Sequence, residues 1–323
     1  MKLPRRALLR LAAGAAALAA LPRAAFALDY PTRPVHIIAA YPPGAAPDII
    51  ARLIGQWLSE RLGQQFITDN RPGAASNIGT GIAAKAEPDG YTLLVAVSTS
   101  TINATLYTNL SFNFARDLVP VASIGATPFI IVVNPRFPAK SIPELVAYAK
   151  ANPAVVNMAT SGVGTGPHVA AELFQMMTGV KFVHVPYRAN YMPDLLGGQV
   201  PMSFAPIGTV IDFVRDGRLR ALGVTPARRT AALPDVPAIA EFLPGYEAAG
   251  WYGIVAPKGT PDDVIAKLHA AVSAGVEDST VKSRLLALGV EPKAMSTAEF
   301  GKFIADETAK WGKVVREANI KTE

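Results

Sequence analysis

Two stretches of this chain share one design, and that design limits the folds open to the rest. Val35 to Ala40 is a short apolar run, Tyr41 to Ala46 a tight loop, and Pro47 opens an amphipathic stretch. Further on, Val155 to Thr160 is followed by Ser161-Gly-Val-Gly-Thr-Gly166 and then by Pro167. A short apolar run bounded by turn residues predicts a buried strand, and proline suits the first helical position because its missing N–H would be unpaired there anyway. Strand, loop and helix occurring twice place the chain in the α/β class. The unpaired N–H groups of a helix's first turn and the positive end of its dipole point back at the loop before it. Each unit is therefore an anion site in outline that needs no Lys or Arg. A plain βα connection is the competing reading, since such loops join strands to helices in every α/β protein.

The rest of the chain alternates in the same way. Pro47 to Leu62 puts Ile50, Leu53, Ile54, Trp57, Leu58 and Leu62 on one helix face and stops at Gly63. Asp48 and Arg52 are expected to form an exposed i,i+4 pair on it. Strands are predicted at Phe66 to Asp69 and Tyr91 to Val97. The latter runs into Ser98-Thr99-Ser100-Thr101, where one hydroxyl would cap the following helix. Val119 to Gly125 and Phe129 to Val133 are expected as two consecutive strands. Ser141 and Glu144, and later Ser296 and Glu299, have capping-box spacing, and Thr260 is expected to cap a helix before Gly275. The chain crosses between the two units near Ala126-Thr127 and again near Glu247-Gly250. This predicts a discontinuous first lobe of residues 28–126 and 248–323 with residues 127–247 inserted as a second lobe. Ligands of open α/β sheets sit outside the carboxyl ends of the strands, where all these loops lie.

Residues 1–27 are expected to be a cleaved export signal. Lys2, Arg5, Arg6 and Arg10 form a basic start, Leu11 to Leu21 is apolar, and Ala25-Phe26-Ala27 is an A-x-A site with cleavage after Ala27. Arg5-Arg6 gives it a twin-arginine look. The signal holds five of the 31 basic residues and no acid, which leaves 26 basic against 25 acidic residues. Such a chain has no electrostatic footprint for nucleic acid, and no later stretch has the roughly 18 apolar residues of a membrane span. With no cysteine in the sequence, thiol catalysis and Cys-based metal or cluster sites are excluded.

Gly162-x-Gly164-x-Gly166 is not a dinucleotide fingerprint, because Pro167 stands where the third glycine belongs and no acid waits at a strand end about 20 residues on. No cofactor or metal is expected. A hydrolase would have to use Ser161 or Ser98 with His168, and no orienting acid can be placed. His168, in the first turn of a helix, is better suited to be a neutral donor to a ligand. His36, His184 and His269 fall in predicted strands or on a helix face and suit structural roles.

Tyr-Pro-x-Arg-Pro (Tyr30 to Pro34), Tyr-Pro-Pro-Gly-x-x-x-Asp-x-x-Ala-Arg (Tyr41 to Arg52), Asn-Arg-Pro-Gly-Ala (Asn70 to Ala74), Ala-x-Pro-Asp-Gly-Tyr-Thr-Leu (Ala86 to Leu93), Val-Pro-Tyr-Arg (Val185 to Arg188) and Asp-Leu-Leu-Gly-Gly-Gln-Val (Asp194 to Val200) occur in this order. Together they resemble the Bug family, the periplasmic substrate-binding proteins of tripartite tricarboxylate transporters. The resemblance implies a two-lobed periplasmic-binding-protein fold, type II-like, each lobe a mixed sheet flanked by helices around a ligand cleft. It also implies a monomer that is not an enzyme, binds a small carboxylate (an aromatic or aliphatic mono- or dicarboxylate) and hands it to the transporter's membrane components. A sensor presenting the bound form to a signalling receptor would use the same site. Carried over by motif, the first lobe's contacts would be Tyr41, Gly44, Ala45, Ala46, Gly73, Ala74 and Ser98. The second lobe's would be Ser161, Gly164, Thr165, His168, Tyr187, Ala189, Asn190 and Pro206. The chain differs from the common pattern at Pro43-Gly44-Ala45 and Tyr187-Arg188-Ala189, where the family usually has a glycine as the last residue, and the interval to Asp194 is about two residues shorter.

Overall fold

The computed structural model describes residues 30–187 and 190–322. The expected export segment, residues 1–27, lies outside the described residues, as do Arg188 and Ala189.

β1 (Val35–Ala39) leads into α1 (Ala46–Leu62), β2 (Phe66–Asn70), α2 (Asn77–Ala84), β3 (Thr92–Val97) and α3 (Ser98–Leu106). β1 pairs in parallel with β2 on one side and with β3 on the other. A short turn of helix, α4 (Phe114–Asp117), then feeds β4 (Leu118–Val133). The second unit contains α5 (Ile142–Ala151), β5 (Asn157–Thr160), α6 (Gly166–Thr178), β6 (Val183–Pro186), α7 (Met192–Gly197), β7 (Met202–Pro206), α8 (Ile207–Arg215) and β8 (Arg220–Val224). The chain returns through β9 (Ala249–Pro257) and ends with α9 (Asp262–Glu277), α10 (Ser279–Ala287), β10 (Glu291–Pro292) and α11 (Thr297–Glu317).

The two halves of the sheet repeat one pattern. In the first half the order is β2-β1-β3-β9-β4, and in the second β6-β5-β7-β4, with β8 also on β4. In each half a parallel triplet whose first strand is central is followed by one antiparallel strand, β9 in the first and β4 in the second. An order of 2-1-3 sends the connections after the first and third strands to opposite faces of the sheet. The crevice that opens between them is the place where such sheets bind ligands.

β4 corrects the expectation of two strands. Ala126-Thr127-Pro128 does not break it. Leu118 to Pro128 pairs with β9, and Phe129 to Val133 pairs with β7 and β8, so one strand belongs to both halves and changes partners at the proline. Proline has no N–H for a ladder, and a change of partners is where that loss does least harm.

The helices pack where the sequence periodicity puts them. Ile50, Ile54 and Leu58 of α1 and Leu268, Val272 and Val276 of α9 are buried on the face of the first half that Val35, Ile37 and Val95 also line. Trp251, Phe300 and Ile304 help to close the opposite face. A third cluster joins the halves: Ile102 and Leu106 of α3 and Trp311, Val314 and Val315 of α11 pack with Val169, Ala170 and Phe174 of α6. The Ser296–Glu299 capping box of α11 forms as expected, whereas Thr260 bonds to the Pro257 carbonyl and does not cap α9, which starts after Pro261. No described helix is long and apolar enough to cross a membrane.

Candidate functional site

Four helices start directly after β1, β3, β5 and β7, the strands that flank the two crevices. Their N-cap positions are Ala45 for α1, Val97 for α3, Thr165 for α6 and Pro206 for α8, and none supplies a side-chain cap. Helices α5, α10 and α11 are capped by Ser141, Asp278 and Ser296, while α2, α7 and α9 also start without a side-chain cap. The expectation that a hydroxyl of Ser98–Thr101 caps α3 is corrected: Val97 holds the N-cap, and Thr101 donates to the Ser98 carbonyl. Of the four uncapped starts, only α1 carries an acid in its first turn. Residues at all four starts, Pro47, Ser98, Gly166 and Pro206, line one space, so positive dipole ends from both halves are gathered around it.

That space is a cavity of about 640 Å³, its mouth and the open solvent there included. Tyr41, Pro47, Ser98 and Thr99 line it from the first half, Ser161, Thr165, Pro167 and Pro206 from the second, and Thr127, Phe129, Gly250, Trp251 and Tyr252 from the crossing strands. Among the described residues its walls carry no Lys, Arg, His, Asp or Glu; their polar groups are hydroxyls, backbone and the indole N–H of Trp251, which has no partner among the described residues. Tyr41 donates to Thr99 at 3.3 Å. Burial raises the Tyr41 hydroxyl's pKa and pushes that of Tyr252 up to about 12, so both phenols stay protonated, as donors, at neutral pH.

Five of the residues singled out in the sequence line this cavity: Tyr41, Ser98, Ser161, Thr165 and Pro206. Gly44, Ala45 and Ala46 form the turn just behind Pro47 and are not among its walls. Ala74 lines a separate open groove with Ile78 and Phe112, and Gly73 lies beside it against Ile78. Tyr187 donates to Asp194 at 2.7 Å, and the Asn190 side chain accepts from the Met192 N–H, so both are engaged within the second half. Gly164 and His168 lie behind the loop, bonded to each other, and Ala189 is outside the described residues. Among the described residues neither Ser98 nor Ser161 is hydrogen-bonded to His168, whose Nδ1 is taken by the Gly164 N–H, so no Ser–His pair is assembled. Phe129, Thr127 and Gly250 to Tyr252 went unforeseen. Their one signal was that they flank the predicted crossings.

Asp48 reverses its expected role. It is only 3 % exposed and accepts from the Gly44 N–H at 2.8 Å, Arg52 Nε at 2.9 Å and Asn70 Nδ2 at 2.8 Å. Asn70 in turn donates to the Tyr41 carbonyl. Burial works to raise the Asp48 carboxyl's pKa, but the Gly44 N–H, Arg52 and Asn70 together hold it below its ordinary value. The carboxylate fixes the first loop from behind and leaves the cavity side uncharged.

The second first-half loop is strained. Ala74, Ala75 and Ser76 have φ of 45°, 51° and 76°, in the left-handed region that suits glycine. The Asn103 side chain holds the Ala75 carbonyl, while Ser76 Oγ has no partner among the described residues. Each left-handed L-residue costs about 1–2 kcal/mol, of which glycine's lost entropy cancels part. Ser76→Gly and Ala75→Gly are each expected to stabilise the protein by about 0.5–1 kcal/mol. Denaturant midpoints check this, and a drop in midpoint for both variants would contradict it.

A family model described as "Tripartite tricarboxylate transporter family receptor" matches residues 50–320. Protein BugT of Bordetella pertussis (strain Tohama I) is 35 % identical over 297 residues, which span 90 % of this chain and 91 % of that protein. Among solved structures, R. palustris Rpa4515 with adipate is 33 % identical, with a TM-score of 0.79 over 90 % of this chain and 99 % of that one. MatC (Rpa3494) from Rhodopseudomonas palustris with bound malate is 29 % identical, with a TM-score of 0.75 over 88 % and 100 % of the two chains.

Proposed function

This chain belongs to the tripartite tricarboxylate transporter receptor family, and from that premise we propose that it captures a small carboxylate in the cavity between its two halves and delivers it to the membrane components of such a transporter. Members of the family are periplasmic solute-binding receptors, not enzymes, with a two-lobed α/β fold. The observation that carries the reading is the convergence of four uncapped helix starts on a cavity without ionised walls. A carboxylate is the anion that backbone N–H groups and hydroxyls hold well, and it needs no lysine or arginine to do so.

The lobes that move are residues 28–126 with 248–323, and residues 127–247. The change of partners in β4 at Thr127–Phe129 and the return at Gly250 support hinges there, where two crossing segments let rigid bodies rotate about the ligand. Tyr41, Ser98, Ser161, Thr165 and Pro206 contact the ligand, joined by Thr99, Phe129 and Tyr252. Phe129, Pro47, Pro167 and Pro206 suit an apolar or aromatic body, and the hydroxyls suit one distal polar group. This favours a monocarboxylate with such a body, or a dicarboxylate like the adipate and malate of the relatives. Citrate-like acids would bury a third charge without a counter-ion.

Calorimetry with an aromatic acid, adipate, malate and citrate tests the proposal. Binding of at least one of the first three, weakened less than about tenfold (1.4 kcal/mol) between low and physiological salt, is expected. Citrate alone binding, with a steep salt dependence, would refute it.

A further inference from the structure

The loop Ser161 to Thr165 brings two side chains to the cavity, and the bond within it, from the Thr165 hydroxyl to the Gly162 carbonyl at 2.8 Å, ties only its middle. Gly162 and Gly164 have φ of 125° and 74°, and such residues move freely unless held from outside. Two histidines hold it. The Gly164 N–H donates to His168 Nδ1 at 3.0 Å, in a buried bond. At the loop's other end, Thr160 Oγ1 lies 3.3 Å from both the N–H and the carbonyl of Gly162, and 2.5 Å from His184 Nε2. The two rings stack with centroids 3.9 Å apart and planes 13° from parallel.

This geometry dictates a protonation state. An Nδ1 that accepts a backbone N–H carries no proton, so the ring's proton sits on Nε2, facing Glu172 Oε1 at 3.5 Å. A second proton, on Nδ1, would set N–H against N–H and place a cation in the first turn of a helix. Burial, and then the neighbouring His168, push the His184 pKa down to about 4, against the opposing pull of Glu172, so that ring too is neutral near pH 7. Glu172 from α6 and His184 from β6 are the titratable groups that face His168 among the described residues. Leu106 of α3 packs against Gly164, and Phe129 of β4 against Gly166, and both are apolar.

We propose that His168 is a positioning residue for ligand capture: its neutral ring, backed by His184, holds the Gly164 N–H and so keeps Ser161 and Thr165 at the cavity wall, and proton uptake by the pair releases the loop and the ligand. The proposal rests on the reading of the cavity as a carboxylate site. It makes the protein a receptor that lets go on acidification, although no titratable histidine lines its cavity.

The test compares wild type with His168→Asn, whose amide oxygen can occupy the place of Nδ1 but does not titrate. Wild-type affinity is expected to fall about tenfold or more as pH drops from about 7 to about 4, the range in which His184 takes up its proton, while the variant, whatever its affinity at the higher pH, loses most of that slope. Equal slopes in the two proteins would overturn the proposal. A second measurement needs no ligand: the ¹⁵N–¹H signal of Gly164 should shift on acidification in wild type, as its bond to Nδ1 is lost, and be insensitive to pH in the variant. If no carboxylate binds at any pH, the functional reading fails, and the Gly164 signal still decides the histidine's role. A signal that ignores pH in wild type would refute it.

Discussion

Asp48→Ala is expected to abolish carboxylate binding and to destabilise the protein by about 2 kcal/mol. The substitution leaves the Gly44 N–H, Arg52 and Asn70 without their common acceptor, and Asn70 is also the group that holds the Tyr41 carbonyl. Arg52 has a half-exposed side chain and regains water, which keeps the cost below that of breaking a fully buried ion pair. Gly44 is exposed and its N–H can also turn to water, so the larger loss is of shape: the loop before α1 is no longer tied to the helix and the first uncapped helix start loses its aim. The sign of the pH dependence follows from the depressed carboxyl. Its stabilisation is complete above the ordinary value of 3.8 and is lost as pH falls through the lowered folded-state value, so wild type and variant should converge only in strong acid. Urea unfolding at several pH values, with calorimetry of the same samples, checks both parts. Unimpaired binding in a stably folded Asp48→Ala protein would show that Asp48 is a surface partner of Arg52 and nothing more.

The second large effect is expected at Gly79, where two arguments predict opposite signs. Gly79 is in α2, and alanine in a helix interior is ordinarily better than glycine by about 1 kcal/mol. A Cβ built there, however, would lie 2.7 Å from Ala40 Cβ, 2.8 Å from the Arg71 carbonyl oxygen and 2.9 Å from Ala40 Cα. Backbone and a Cβ have no rotamer to escape into, so β1 and the chain after β2 must move apart. Packing outweighs propensity, and Gly79→Ala should destabilise by about 2–3 kcal/mol. The displaced segments are the roots of the Tyr41 and Gly73 loops, so binding should weaken too. A variant of raised stability would mean that α2 can slide on the sheet.

The contrast between these residues explains what could be foreseen. The βα units were legible because their signals are local: Pro47 in the first turn of α1, Gly63 in a left-handed C-cap, Glu299 three residues after Ser296. The uncapped starts of α1 and α6 follow from the same local logic, and so does a cavity without ionised walls. Asp48 misled because its local partner Arg52 was visible, while the Asn70 bond spans 22 residues. The continuity of β4 was hidden by Pro128, since nothing nearby announces that the strand changes neighbours there. Phe129 and Tyr252 become cavity walls only when β4 and β9 cross, a pairing between distant parts of the chain that no local pattern encodes. His168 was expected to donate to a ligand, but its Nδ1 accepts from the Gly164 N–H, four residues back, and it is not among the cavity walls.

The cluster that joins α3 and α11 to α6 sets a clock. Leu106 rests against Gly164 so closely that a Cβ there would lie 2.3 Å from its Cδ2, and Trp311, Val314 and Val315 extend the same apolar seam. Any parting of the halves wide enough to release a molecule must first let water into that seam, whichever acid is inside. In the proposed receptor that cost of parting is common to every acid, and what distinguishes one acid from another shows mainly in how fast each leaves.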